Sequence, residues 1–228
     1  MLFRDEKVYF DLLPQELKAI ANQKNQMNGL DLLAAFPSSS IPAIFFDPQY
    51  RGVMDKMNYG NEGARQKGRA ELTQMPEGII EAFIKEIDRT LIPSGHLLLW
   101  IDKFHLVEGV KPWFSGTSLE PVDMITWDKA KIGMGYRSRR KSEYLVVVQK
   151  LPKKAKGYWT SHSIPDVWSE KVSKVHPHSK PEGLQTAIIN SIVKDGDFVV
   201  DPASGGYSTM RSALASNKNF IGCDLLEV

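Results

Sequence analysis

The chain has 228 residues, 42% of them hydrophobic and 25% charged, which suits one globular domain, 1–228, with a sizeable core. The formal net charge is only +2, so any nucleic-acid affinity must come from local patches, and the single cysteine, Cys223, excludes an internal disulfide and a cysteine metal cluster. No apolar run approaches the ~20 residues of a membrane span, and the charged start at Arg4, Asp5, Glu6 and Lys7 lacks a secretory pattern, so the expected location is the cytoplasm, with no membrane partner.

Leu12 to Ile20 predicts a short helix with Pro14 near its first turn. Met27 to Pro37 reads as a short strand or turn followed by a helical turn. It carries Asp31, a candidate cofactor ligand whose commoner role is a helix cap. Ala43 to Phe46 then predicts a buried strand, which leaves Asp47 at its carboxyl end, where open α/β sheets place their ligands. The carboxylate of Asp47, the carbonyl of Pro48 and the ring of Tyr50 suit one task, holding a planar base by its amino group while stacking on its face. Taken alone, Asp-Pro is also an ordinary strand-to-turn signal.

Arg51 to Thr73 is rich in Gly, Asn, Lys and Arg and has no sustained period, so residues 51–73 are expected to form a mobile, substrate-facing loop. Arg51, Lys56, Arg65, Lys67 and Arg69 in it suit phosphate contacts. Helical spacing follows at Ile79, Ile80, Phe83, Ile84 and Ile87, ending at Pro93-Ser94-Gly95. The run His96 to Ile101 predicts a buried strand with His96 at its start. A helix from Phe104 to about Gly109 and strands at Pro121 to Trp127 and Glu143 to Gln149 continue the α/β rhythm.

Lys129 to Lys156 holds ten Lys or Arg against one acid, Glu143. Basic residues flanking a strand on both sides, among them Arg137, Arg139, Arg140 and Lys141, are expected to form a rim for nucleic-acid phosphates, a merely basic surface being the alternative, so about 103–175 is expected to be the nucleic-acid-contacting segment. Tyr158, Trp159 and Trp168 fall in a loop, either as stacking rings or as packing.

A helix at Gln185 to Val193 precedes the strand Phe198 to Val200, the turn Asp201-Pro202-Ala203-Ser204-Gly205-Gly206-Tyr207 and a helix from Met210 to Ser216. Strand, glycine turn and helix make a cofactor-binding unit, but without G-x-G-x-x-G a nicotinamide is not favoured. The strand Phe220 to Cys223 ends on Asp224, placed for ribose hydroxyls. His176 and His178 have no carboxylate or cysteine companions nearby, so no metal site is expected.

The order D-P-Q-Y, a basic variable stretch, H-P-H-S-K-P, D-P-A-S-G-G and G-C-D resembles the amino-methylating DNA methyltransferases that use S-adenosylmethionine, in their permuted β arrangement. The resemblance runs from about Met27 to Asp224. It implies a Rossmann-like methyltransferase fold, α/β with a mostly parallel central sheet and helices on both faces, and transfer of a methyl group to adenine N6 of a flipped base in DNA, expected as duplex, with a homodimer left open. Asp47, Pro48 and Tyr50 would form the target pocket. Asp31, Lys180, Asp201, Pro202, Ala203, Ser204, Gly205, Gly206 and Asp224 would lie against the cofactor. Gln49 replaces the family's second proline, Ala203 its aromatic residue and Tyr207 its final glycine. Tyr207 is therefore expected either to enter the cofactor's space or to replace the missing aromatic contact. Cytosine-N4 methylation, a non-catalytic DNA-binding relative and an unrelated nucleotide-binding protein are the competing readings.

Overall fold

The computed structural model describes residues 6–48, 75–133, 137–172 and 179–225. The expected loop 51–73 lies outside them, as do Tyr50, His176 and His178. Strands β1 (Ile41–Phe46), β2 (Leu91–Ile101), β3 (Leu119–Asp128), β4 (Ser142–Lys150), β5 (Val167–Ser169), β6 (Phe198–Asp201) and β7 (Asn219–Gly222) form one sheet in the order β5-β3-β4-β2-β1-β6-β7. Among them β4 alone runs against the rest, paired antiparallel with both β2 and β3. β1 sits centrally, parallel to β2 on one side and to β6 on the other.

A parallel strand between two helical layers must be apolar on both faces, which is why Ile41 to Phe46 reads as an unbroken hydrophobic run and is buried throughout. On one face Ile44, Phe46, Leu97 and Leu99 meet Leu32 and Leu33 of α2 (Gly29–Ala35) and Ile80, Phe83 and Ile84 of α3 (Glu77–Thr90). On the other, Ala43, Phe45, Leu98 and Trp100 meet Leu184, Ile188 and Ile189 of α5 (Glu182–Ile192) and Ala213 of α6 (Ser208–Ala215). The remaining helices are short: α1 (Gln15–Ala19) precedes the sheet and α4 (Lys103–Glu108) follows β2.

Three local expectations are corrected. β2 begins at Leu91, not at His96. Pro93-Ser94-Gly95 forms a bulge inside the strand, which is why the register with β1 jumps from Ile41↔Leu91 to Ala43↔His96. His96 is thus an interior residue, its ring packed edge-on to Trp159 at 5.9 Å, and burial lowers its pKa to about 4. The segment around Trp168 supplies a strand, β5, rather than a loop. Met27 to Pro37 is mostly helix, capped by Asn28, whose side chain accepts the Leu30 N–H at 2.8 Å. Asp31 is therefore left exposed in the first turn instead of being spent as the cap.

Candidate functional site

The strand order reverses at β1, with β2 added to one side and β6 to the other, so the carboxyl ends of β1 and β6 open side by side. Asp47 stands one residue past β1 and Asp201 is the last residue of β6, and the charge of Asp47 helps to raise the pKa of Asp201. Asp201 points inward: its Oδ2 accepts the Thr209 hydroxyl at 2.7 Å and its Oδ1 the Ala203 N–H at 3.1 Å. Burial, reinforced by Asp47 and Asp224, raises its pKa to about 7.

The glycine turn after β6 is fastened from three directions. Ser204 donates its N–H to the Cys223 carbonyl at 2.9 Å and its hydroxyl to the Asp201 carbonyl at 2.8 Å. Gly205 donates its N–H to Asp224 Oδ2 at 2.9 Å, and the Gly206 carbonyl receives Arg211 at 2.6 Å. Gly222 lets β7 approach this closely, since a Cβ there would lie 2.5 Å from the Asp201 carbonyl and 2.7 Å from Ser204 Oγ. Gly29 does the same for α2, where a Cβ would lie 2.1 Å from the Pro202 carbonyl oxygen. The turn's outer side is open backbone at Gly205, whose φ is +47° and where a Cβ would meet nothing within 4 Å.

Tyr207 takes neither of the two positions expected for it. It occupies a left-handed conformation, φ +55°, at the start of α6, and its ring is buried against Phe220 on the core side of the turn. Its hydroxyl donates to the Asn25 carbonyl at 2.9 Å and accepts the Asn25 N–H at 3.2 Å. A positive φ is what favours glycine at this position, and the buried tyrosine holds the same backbone shape at some strain.

Across the cleft, four charges form a chain. Lys180 Nζ lies 2.8 Å from Asp47 Oδ2 and 3.0 Å from Glu143 Oε2, and Glu143 Oε1 also pairs with Lys129. Lys180 is the most enclosed of them, with 12% of its side chain exposed and its ammonium 5.0 Å from the centre of the Trp100 ring. Burial raises the Asp47 pKa despite the opposing pull of Lys180. Burial would also raise that of Glu143, but Lys180 and Lys129 outweigh it and hold the carboxyl at about 2. Lys180 is driven upward because its two carboxylate partners outweigh its own desolvation. In this structure Lys180, expected against the cofactor, contacts Asp47, the residue expected in the target pocket.

Glu143 and Lys129 were not singled out from the sequence. Glu143 reads there as the first residue of a strand, and only the antiparallel sense of β4 brings a strand start to the edge where the other strands end. Arg211, which holds the glycine turn and pairs with Glu182 at 2.7 Å, was likewise unmarked.

The basic residues divide into two groups. Arg139, Arg140 and Lys141 line a cleft of about 200 Å³ beside Asp102, Lys103, Lys129 and Glu143, on the Asp47 side of the sheet. Arg137 precedes them on the same β3–β4 connection. Lys150 closes the other end of β4, roughly 26 Å away by the rise of a strand, and Lys153, Lys154 and Lys156 follow it. Lys150 is spent there on the carbonyls of Asp88 and Leu91, and Lys153 on Glu120. One continuous rim is therefore not what these residues make. Trp159 packs on His96 at that far end, and Trp168 donates to Glu170 at 2.7 Å, so these rings serve as packing.

The family model described as DNA methylase, N6_N4_Mtase, matches residues 41–228. The chain is 59% identical to the type II methyltransferase M.HhaII of Haemophilus parahaemolyticus, over 93% of this chain and 94% of that protein. It is 26% identical to the type II methyltransferase M2.MboI of Moraxella bovis, over 87% and 81% respectively. Among solved structures, the cytosine-N4-specific PvuII DNA methyltransferase superposes with a TM-score of 0.69 at 14% identity, covering 90% of this chain and 82% of that one. A complex of M1.HpyAVI with SAM gives 0.62 at 16%, covering 89% and 92%. With a sheet whose order reverses at an acid-bearing strand, a fastened glycine turn beside it and these relatives, the chain belongs to the N6/N4 DNA methylase family.

Proposed function

We propose that the protein transfers a methyl group from S-adenosylmethionine to N6 of an adenine swung out of duplex DNA, at sites it recognises by sequence. The observation that carries this reading is the position of Asp47, a carboxylate at the reversal point of the sheet, beside the glycine turn of β6. A carboxylate rather than a neutral hydroxyl or amide at the first pocket position supports adenine over cytosine, in keeping with the family resemblance.

The residues present fit the cofactor. The outer side of Gly205 is unobstructed, Asp31 is exposed on the helix that packs against Pro202, and Asp224 closes the other side of the turn. Arg211 Nη2 is a buried nitrogen with no hydrogen-bond partner beside Gly206, suited to a carboxylate. Asp224 would hold the ribose hydroxyls, and the backbone at Ala203, Ser204, Gly205 and Gly206 would line the methionine side. When bound, the cofactor supplies a methyl carbon made electrophilic by a sulfonium.

The exocyclic amine of adenine is a weak nucleophile because its lone pair is delocalised into the ring. Asp47 and the Pro48 carbonyl would accept its two N–H hydrogens, which turns the lone pair toward the methyl carbon. Transfer of the methyl group from sulfur to this nitrogen would leave positive charge on the amine, and the Asp47 carboxylate would take the excess proton and pass it to solvent. Holding the partners in line can contribute about 7 to 11 kcal/mol of the barrier. Extrusion of the base costs a few kcal/mol, offset by stacking on Tyr50.

The test is nucleoside mass spectrometry of unmethylated plasmid DNA incubated with the protein and S-adenosylmethionine, beside Asp47→Ala. N6-methyladenine from the wild type and none from the variant is expected. N4-methylcytosine would overturn the choice of base, and no modified nucleoside would overturn the reaction.

A further inference from the structure

Asp47 does not face the cleft alone: Lys180, Glu143 and Lys129 form with it a half-buried set of two cations and two anions whose charges cancel. We infer that Glu143, held by Lys129, is a positioning residue for methyl transfer, which draws the Lys180 ammonium off Asp47 and balances its charge while the reacting amine becomes positive. The inference rests on the proposed reaction, because only there does a cation develop next to Asp47.

The geometry supplies the reason. Lys180 sits almost midway between two carboxylates, 2.8 Å from Asp47 and 3.0 Å from Glu143, so it can lean toward either with little motion. Its backbone is fixed immediately before α5, and its ammonium also rests over Trp100, which limits it to these partners. A carboxylate carries about four lone-pair sites, so Asp47 can keep Lys180 on Oδ2 while receiving an amine N–H at Oδ1. Without a second anion, however, Lys180 would commit wholly to Asp47, and Lys129 would add a further uncompensated charge. Both would oppose a transition state in which the amine turns cationic.

The other charged groups around Asp47 do not substitute for Glu143. Asp201, at the end of β6, is turned onto Thr209 and Ala203, and Asp102, past β2, caps α4 by accepting the Phe104 and His105 N–H groups. Neither pairs with Lys180.

Glu143→Gln keeps the size and one acceptor while removing the charge. Its kcat for DNA methylation should fall about tenfold or more, with the KM for S-adenosylmethionine unchanged. The acid limb of the kcat profile should move to lower pH, because Asp47 loses a repelling neighbour and gains a closer hold on Lys180. Glu143→Asp should recover part of the rate. A merely structural role predicts loss of folded protein or a raised KM with no displacement of the acid limb. The same displacement should appear in a ¹³C carboxyl titration of Asp47, assigned with Asp47→Asn, in the absence of DNA. A Gln variant with wild-type kcat and an unmoved Asp47 titration overturns the inference. If the wild type methylates no DNA, the proposed reaction fails, and with it the catalytic part of the inference, while an unmoved titration would refute the ion-pair arrangement itself.

Discussion

The Tyr207 hydroxyl and the Asn25 backbone exchange two hydrogen bonds, 2.9 Å to the carbonyl and 3.2 Å from the N–H. One aromatic residue at the end of the glycine turn thereby ties down the segment leading into α2, the helix that carries Asp31. The Asn25 side chain extends the tie by donating to the Gly222 carbonyl at 2.9 Å. Tyr207→Phe should cost about 1 to 2 kcal/mol, since both Asn25 groups lose a partner. Because the loss falls beside the proposed cofactor site, S-adenosylmethionine should also bind more weakly to this variant, which calorimetry would detect. Unchanged affinity would mean that α2 keeps its place without the tie at Asn25.

A Cβ at Gly222 would lie 2.3 Å from the Phe220 ring, 2.5 Å from the Asp201 carbonyl oxygen and 2.7 Å from Ser204 Oγ, and in Gly222→Ala the carbonyl cannot be moved aside by rotating a side chain. A loss of about 3 kcal/mol in urea denaturation is expected, at the upper end of overpacking costs. Cofactor binding should fall with it, because the atoms displaced belong to Asp201 and Ser204. A variant of wild-type stability would show that β7 can draw back from the turn.

Asp201 titrates near 7 in the folded protein against an ordinary 3.8, so between these values the native chain keeps a proton that the unfolded chain has released. Its contribution to stability is complete below pH 3.8 and lost as pH rises through about 7. Asp201→Asn, which can still accept from Ala203 and meet Thr209, should flatten the fall in stability across that interval. Asp47 and Asp197 are also raised and leave some slope behind. An unaltered pH dependence of the urea midpoint would refute this placement of the proton.

The two basic groups make opposite predictions for DNA. Arg140→Ala, in the cleft beside Glu143, should weaken binding about equally for all sequences and lower the salt slope by about 1. Lys153→Ala, at the far end of β4 and paired with Glu120, should leave both unchanged. Filter binding across a range of salt concentrations would separate them, and an equal effect of the two variants would mean that DNA wraps the whole sheet edge.

Much of this architecture can be read from the chain because its strands are apolar and punctuated. The run Ala43 to Phe46 stops at Asp47, and α3 shows Ile80, Phe83, Ile84 and Ile87 at helical spacing, so each element carries its own boundary. β5 has no such signature: Val167–Ser169 is short and mostly exposed, and exists because Thr126 to Asp128 offer it an edge. The bulge at Pro93-Ser94-Gly95 imitates a helix-ending turn, since Pro and Gly serve both. Glu143 shows how far local reading extends within the site. Asp47 is marked by what precedes it in sequence, whereas Glu143 owes its place to the sense of β4, a property of the sheet rather than of neighbouring residues.

The reversed sense of β4 has one more effect. β3 and β4 pair as far as Asp128↔Ser142, and the Lys129 N–H continues the ladder onto the Lys141 carbonyl, so the stem of this hairpin is locked in register before its tip begins. The tip carries Arg139 and Arg140, and among the described residues it contributes no strand to the sheet. Its length and composition can change without shifting a rung below, as surface loops on a fixed scaffold allow. The hairpin is in that sense a replaceable cartridge, in which a protein engineer could exchange the residues of the tip while the acid at the end of β1 and the glycine turn stay untouched.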